Sequence, residues 1–278
     1  MKKVLVLAAA MIAAVMSVKA ETEFAYEAGV ELVSSYIWRG QYNGGLSLQP
    51  EGLVGFDAKD GAVQFRAGVW ASVGASDWKF QKGLPTYMDG EEEINPNTYF
   101  VPEVDFIASF SFYGASVGYN AYYYCNDGSD HVSEVWAGFS FDQLFGVGAY
   151  VNWYTSVAGG GDVRDDGKQA FSSYLEVGYD YTFEKIGLTL GAQVGMSPWK
   201  SPIYYNDKFA VTNVSVKINK EWEFEHLTLD LFAQGSLNPD GLVTDREDPD
   251  YNVLINAAGD EKLYLQKLNG VVGIGIWF

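Results

Sequence analysis

Cysteine is all but missing from this chain. Cys125 stands alone, so no internal disulfide framework can staple the fold. Histidine is scarce as well, with only His131 and His226. Basic residues are half as numerous as acidic ones, 18 Lys and Arg against 36 Asp and Glu, for a formal charge of −18. Such a balance repels nucleic acid and gives anionic lipid no polybasic patch, which argues against phosphate-binding functions. Beyond the first twenty residues no uncharged apolar run reaches the ~20 residues of a helical membrane span, and mean hydropathy is −0.06. Any contact with a membrane core must then come from period-two alternation. What the chain does have in quantity is aromatic residues, 16% of the total, and 31 glycines.

At the N-terminus Lys2 and Lys3 precede an apolar run from Val4 to Val15, followed by Ser17, Val18, Lys19 and Ala20. This is the pattern of a secretory signal peptide over residues 1–20, and the run is too short for a spanning helix. No Cys follows it, which argues against a lipoprotein. Residues 21–278 are expected to form one domain.

Along that domain odd and even positions separate. Phe24, Tyr26, Ala28, Val30 and Leu32 oppose Glu27, Gly29 and Glu31; Val54 and Phe56 oppose Glu51 and Asp57; Val63, Phe65, Ala67 and Val69 oppose Gln64, Arg66 and Trp70. The alternation resumes over 104–112, 115–124, 132–141, 145–155, 171–183, 186–196, 210–218, 227–235 and 268–278. Turns are expected at 58–61, 113–114, 142–144, 184–185 and 219–225, and long polar connections lie between the hairpins. Pro50 is awkward in its strand and predicts a late start or a bulge there. Seven of the eight prolines fall in or beside the long connections. The expected fold is all-β, a closed antiparallel transmembrane barrel of about twelve strands with both termini at the short-turn end. Phe112, Phe141, Phe145, Tyr181, Phe183 and Phe278 would form one interfacial girdle, and Tyr36, Tyr123, Trp153 and Phe171 a thinner second one. A soluble barrel or sandwich with the same apolar faces turned inward is the alternative.

The last residues, Leu268 to Phe278, alternate and stop on an aromatic. This ending resembles the terminal strand of bacterial outer-membrane β-barrels, where such a strand is the recognition signal for the barrel-assembly machinery. The resemblance implies a cell outer-membrane location and lipid as a partner. A second resemblance is carried by Ser34 to Gln41, SSYIWRGQ, and within it by Tyr36, Trp38, Arg39 and Gly40. It is similar to the first-hairpin motif of a family of uncharacterised outer-membrane porins, in which a Tyr-x-Trp-Arg-Gly run closes the first strand. That likeness implies passive transport of small solutes. Gly40 would permit the turn, and Arg39 would pair with inward or loop carboxylates near the outer rim.

With apolar positions facing lipid, the lumen receives Glu27, Glu31, Glu51, Asp57, Arg66, Asp105, Glu134, Glu176, Asp180, Gln193, Lys217, Asp230 and Gln234. The rings of Trp70, Tyr122, Tyr124, Trp136, Tyr150, Tyr154 and Tyr174 join them. Acids exceed bases there, so the expected function is a narrow, cation-preferring aqueous path that the aromatic rings constrict. The alternative is a non-conducting surface barrel whose acidic loops, Asp162, Asp165 and Asp166 or the 245–250 run DREDPD, bind a partner or calcium. An enzyme is not expected. His131 and Ser133 have the spacing of the lipid-facing pair in the outer-membrane phospholipase, but Trp153 and Thr155 are expected opposite Ser133 and His131, where an orienting amide is needed. His226 falls at the other membrane face, about 25 Å away. Gly146-Val147-Gly148 and Gly273-Ile274-Gly275 are expected inside strands with no helix to present amides to phosphate, and no cofactor is expected.

Overall fold

The computed structural model describes residues 22–74, 87–89, 92–94, 103–124, 131–164, 166–204, 206–239 and 268–278. In chain order the strands are β1 (Thr22–Val33), β2 (Tyr36–Trp38), β3 (Gln41–Gly44), β4 (Ser47–Ala58), β5 (Val63–Gly74), β6 (Tyr87–Asp89), β7 (Glu92–Ile94), β8 (Glu103–Phe112) and β9 (Ala115–Tyr124). They continue with β10 (His131–Ser140), β11 (Ala149–Ala158), β12 (Ser173–Phe183), β13 (Leu188–Ser197), β14 (Ala210–Glu223), β15 (Thr228–Leu237) and β16 (Leu268–Trp277). Twelve of them, β1, β4, β5 and β8 to β16, make one closed antiparallel barrel, while β2–β3 and β6–β7 are separate two-stranded hairpins. The expected leader, Cys125, Asp165 and the 245–250 acidic run lie outside the described residues.

Closure is made by β1 against β16, from Gly29 opposite Trp277 to Val33 opposite Gly273. Just past that ladder the Phe278 N–H donates to the Ala28 carbonyl at 2.8 Å, and the Ala28 N–H returns a bond to the Phe278 carbonyl at 3.4 Å. The alternating C-terminal strand is thus the closing stave, and its terminal aromatic is tied down at the short-turn end.

Which side faces out decides what kind of barrel this is. Along β16, Leu268, Gly270, Val272, Ile274 and Ile276 are exposed while Asn269, Val271, Gly273 and Gly275 are buried. The same parity runs round the wall: Phe24, Val54, Phe106, Val177, Val216 and Leu231 are open on the outside, and Glu103, Glu134, Ser173, Ser215 and Asp230 are buried within. In water each exposed large side chain would forgo about 1.5–3 kcal/mol of burial, repeated on every stave. A hydrocarbon surround removes that cost, so this is a transmembrane barrel; the soluble alternative needs the opposite parity.

Short connections differ in detail from the sequence reading. Lys59 and Asp60 (both φ 54°) and the pair Tyr113 (φ 47°) and Gly114 (φ 85°) occupy the left-handed region that tight hairpin turns require. After β10 the chain does not turn at 142–144 straight into a strand. Asp142–Phe145 form a one-turn helix, α1, ended by Gly146 at φ 63°, and β11 begins only at Ala149. Gly146-Val147-Gly148 is therefore connection rather than strand, whereas Gly273 and Gly275 do lie in β16. β14 runs on to Glu223, leaving 224–227 as the turn. Pro50 stays within β4, and the pairing with β5 lapses at Gln49–Pro50 and resumes in register at Glu51 opposite Trp70, as a residue without an N–H demands.

The girdle residues at the short-turn end, Phe112, Phe141, Phe145, Tyr181, Phe183 and Phe278, are all exposed on the outside, as are Tyr123 and Phe171 at the other end. Trp153 packs on Trp199 with ring centroids 5.6 Å apart. Tyr36 does not belong to the outer belt, for the reason given next.

Candidate functional site: a hairpin folded into a charged lumen

The SSYIWRGQ segment does not close the first strand. β1 stops at Val33, and Ser34 takes over its bonding to β16: the Ser34 N–H donates to the Val272 carbonyl and the Val272 N–H donates to Ser34 Oγ, both at 2.9 Å. With those bonds satisfied the chain leaves the wall and folds inward as the β2–β3 hairpin. Arg39 (φ 50°) and Gly40 (φ 83°) form its tip. A Cβ on Gly40 would collide with the Thr212 carbonyl of β14, so glycine is required both by conformation and by close approach.

The hairpin touches staves on opposite sides of the cylinder. Tyr36 lies 5.4 Å from the Trp70 ring of β5 and hydrogen-bonds Glu103 of β8. Ile37 packs on the buried group Val33, Phe232 and Val271. Trp38 meets Tyr122 of β9 edge-on at 5.9 Å and stacks on Tyr204 at 5.7 Å. The Gly40 carbonyl accepts from Asn269 Nδ2 of β16 at 3.0 Å, and Gln41 Nε2 donates to the Ile203 carbonyl at 3.1 Å. Only a segment inside the barrel can make all of these contacts.

Arg39 is the centre of the arrangement. Its Nη1 and Nη2 donate to Glu134 Oε2 and Oε1 at 2.7 and 2.8 Å, and Nη1 also donates to Tyr204 Oη at 2.5 Å. The guanidinium lies over Tyr154 at 4.0 Å, Trp38 at 4.6 Å and Tyr174 at 4.8 Å. Tyr122 Oη donates to Glu134 Oε1 at 2.9 Å and in turn accepts from Asn120 Nδ2 at 3.0 Å. The side chains of Arg39 and Glu134 are only 9% and 4% exposed. A cation so enclosed persists because a bidentate carboxylate and aromatic faces replace its water. Arg39 thus pairs with an inward carboxylate toward the loop end of the barrel, Glu134 being the fourth residue of β10.

Beyond the hairpin, toward the short turns, the lumen is polar and mainly acidic. Arg66 is neutralised by a bidentate pair with Asp57 at 2.6 and 2.9 Å. Asn152 Nδ2 donates to Glu176 at 3.4 Å, and Tyr150 Oη to Gln193 Oε1 at 3.1 Å. At the short-turn mouth Glu27, Glu31, Lys217, Glu221 and Asp230 line a cavity of about 800 Å³. Glu51 faces inward beside them, opposite Gly29 on β1 and Trp70 on β5.

Several inward rings obstruct less than their size predicts. Trp136 lies over Gly118, Tyr150 over Gly178, Phe232 over Gly273 and Trp277 over Gly29, each directly across a strand pair. A glycine on the neighbouring stave lets each ring lie against the wall. The hairpin and the rings stacked on it instead reach across the lumen between opposite staves. Glu103, Tyr204, Thr212 and Asn269, which hold the hairpin, were missed by sequence reasoning: Tyr204 sits in a Pro-containing connection with no periodic pattern.

Two other candidates resolve differently. His131 stacks on the outward Tyr123 at 5.5 Å, and Tyr119 Oη donates to Ser133 Oγ at 3.0 Å. The expected partners of Ser133 and His131 were Trp153 and Thr155, but Trp153 lies opposite Ala137, Thr155 opposite Val135 and Ser133 opposite Ala158. The shift follows from α1, which delays the start of β11. Asp162 is buried, accepting from Ser172 Oγ at 2.5 Å, the Ser172 N–H at 3.0 Å and Gln169 Nε2 at 2.9 Å. Asp166 pairs instead with Lys168 at 2.8 Å, and this hydrogen bond holds its carboxyl below the usual range. Among the described residues no cluster of His, Cys, Asp and Glu has metal-binding geometry.

Fold and lumen together define a transmembrane barrel whose polar interior holds an inward-folded hairpin. No family model and no curated protein matches the sequence. Among solved structures, a deletion mutant of TodX, a monoaromatic hydrocarbon channel, is similar at 10% identity over 96% of this chain and 92% of its own, with a TM-score of 0.35. A triple mutant of the Rhodopseudomonas blastica porin is similar at 9% identity over 93% and 99%, with a TM-score of 0.25.

Proposed function

We propose that this chain is a narrow, porin-like channel of the bacterial outer membrane that passes small hydrophilic solutes by diffusion, prefers cations, and has the β2–β3 hairpin as its constriction. The observation that carries the reading is the charge balance below the hairpin. Arg39 and Arg66 are neutralised by Glu134 and Asp57, so Glu27, Glu31, Glu221 and Asp230 face the cavity against Lys217. Carboxylates in a confined aqueous space concentrate cations and exclude anions. The leader would direct export across the inner membrane, and the closing strand would be read by the assembly machinery.

The test is the reversal potential of the purified barrel in planar bilayers under a KCl gradient. A potential of the cation-selective sign is expected, falling toward zero in Glu31→Gln/Asp230→Asn. An anion-selective potential contradicts the preference. Silence after many insertions contradicts transport and leaves the non-conducting surface barrel.

A further inference from the structure

Below the hairpin, the inner face of β11 to β15 holds a hollow of about 250 Å³ whose lining includes Tyr150, Asp180, Gln193, Lys217, Asn219 and Gln234. Register explains it. Asp180 stands opposite Gly191, Gly191 opposite Lys217, and Lys217 opposite Gln234. One row therefore carries a carboxylate and an ammonium on staves about 9–10 Å apart, with glycine between them. A side chain at 191 would run into Asp180 Oδ1, so Gly191 keeps the row hollow.

The two charges are not spent on each other. Among the described residues no carboxylate is in ion-pair contact with Lys217. Its ammonium rests 4.4 Å from the Phe232 ring centroid, within electrostatic reach of Asp180, Asp230 and Glu31.

We infer that this hollow is a binding site for small zwitterions of amino-acid size, with the solute carboxylate on Lys217 and its ammonium on Asp180. A neutral sugar would satisfy the amides and leave both charges partly desolvated without a complement. A simple anion would meet the surrounding carboxylates, and a simple cation would meet Lys217. The inference rests on the lumen being a solute path, since the hollow lies on the inner face of the wall.

Isothermal titration of L-glutamine into the full barrel in detergent micelles tests it, with glucose as the neutral probe. Saturable heat is expected for glutamine and none for glucose. Lys217→Gln and Asp180→Asn should each weaken glutamine about tenfold or more, as expected for losing a charged hydrogen bond, with far-UV circular dichroism showing the barrel intact. No saturable heat on the wild type, equal affinity in both variants, or equal binding of glucose overturns the site. Glutamine binding by a barrel that never conducts would support the site and sink the transport reading; conductance without binding would do the reverse.

Discussion

Arg39→Met should lower the unfolding free energy of the barrel by about 3–5 kcal/mol, because it leaves Glu134 charged and enclosed without its partner. Glu134, 4% exposed, keeps among the described residues the Tyr122 hydroxyl as a donor at 2.9 Å, and the Tyr154 and Tyr174 faces lose the cation they enclose. Urea unfolding in lipid vesicles, followed by tryptophan fluorescence, measures the loss. Arg39→Met/Glu134→Leu should regain most of it, since removing both charges also removes the desolvation penalty. If the double variant is as unstable as the single one, packing rather than charge is what Arg39 supplies.

Val272→Arg is the second large effect. Val272 lies midway along the closing stave on its outer face, 56% exposed. An arginine there meets hydrocarbon and should cost about 2–4 kcal/mol near the bilayer midplane. Gln234→Arg, on the inner face of β15 opposite Val271 and Lys217, should cost about 1 kcal/mol or less, the like charge of Lys217 being its main penalty. The same unfolding assay compares the two. Equal costs would contradict the assignment of faces.

The wall was legible because each stave shows hydrocarbon on one side and polar lumen on the other, and a two-residue period records this directly. Leu268 to Phe278 is the clearest case, and its parity in the barrel is the parity of its sequence. The helical connection Asp142–Phe145 was not legible, since DQLF is too short to carry a period, and it shifted the β10–β11 pairing. The hairpin was hidden for a deeper reason. Its stability comes from partners far away in the chain, Glu134 at 95 residues from Arg39 and Tyr204 at 165. No local pattern encodes such pairings. A resemblance singled out Tyr36, Trp38, Arg39 and Gly40 without saying that they fold inward. The cavity walls were half legible: parity places Tyr150, Gln193 and Lys217 inside, but only the register sets Gly191 between Asp180 and Lys217.

The most direct measurement is single-channel conductance of the barrel with residues 36–44 replaced by a short Gly-Ser turn, beside the wild type in the same bilayers. An inward hairpin that sets the constriction predicts a severalfold larger conductance in the variant and a higher size limit for solutes in liposome swelling. An unchanged conductance from a correctly folded variant would contradict it.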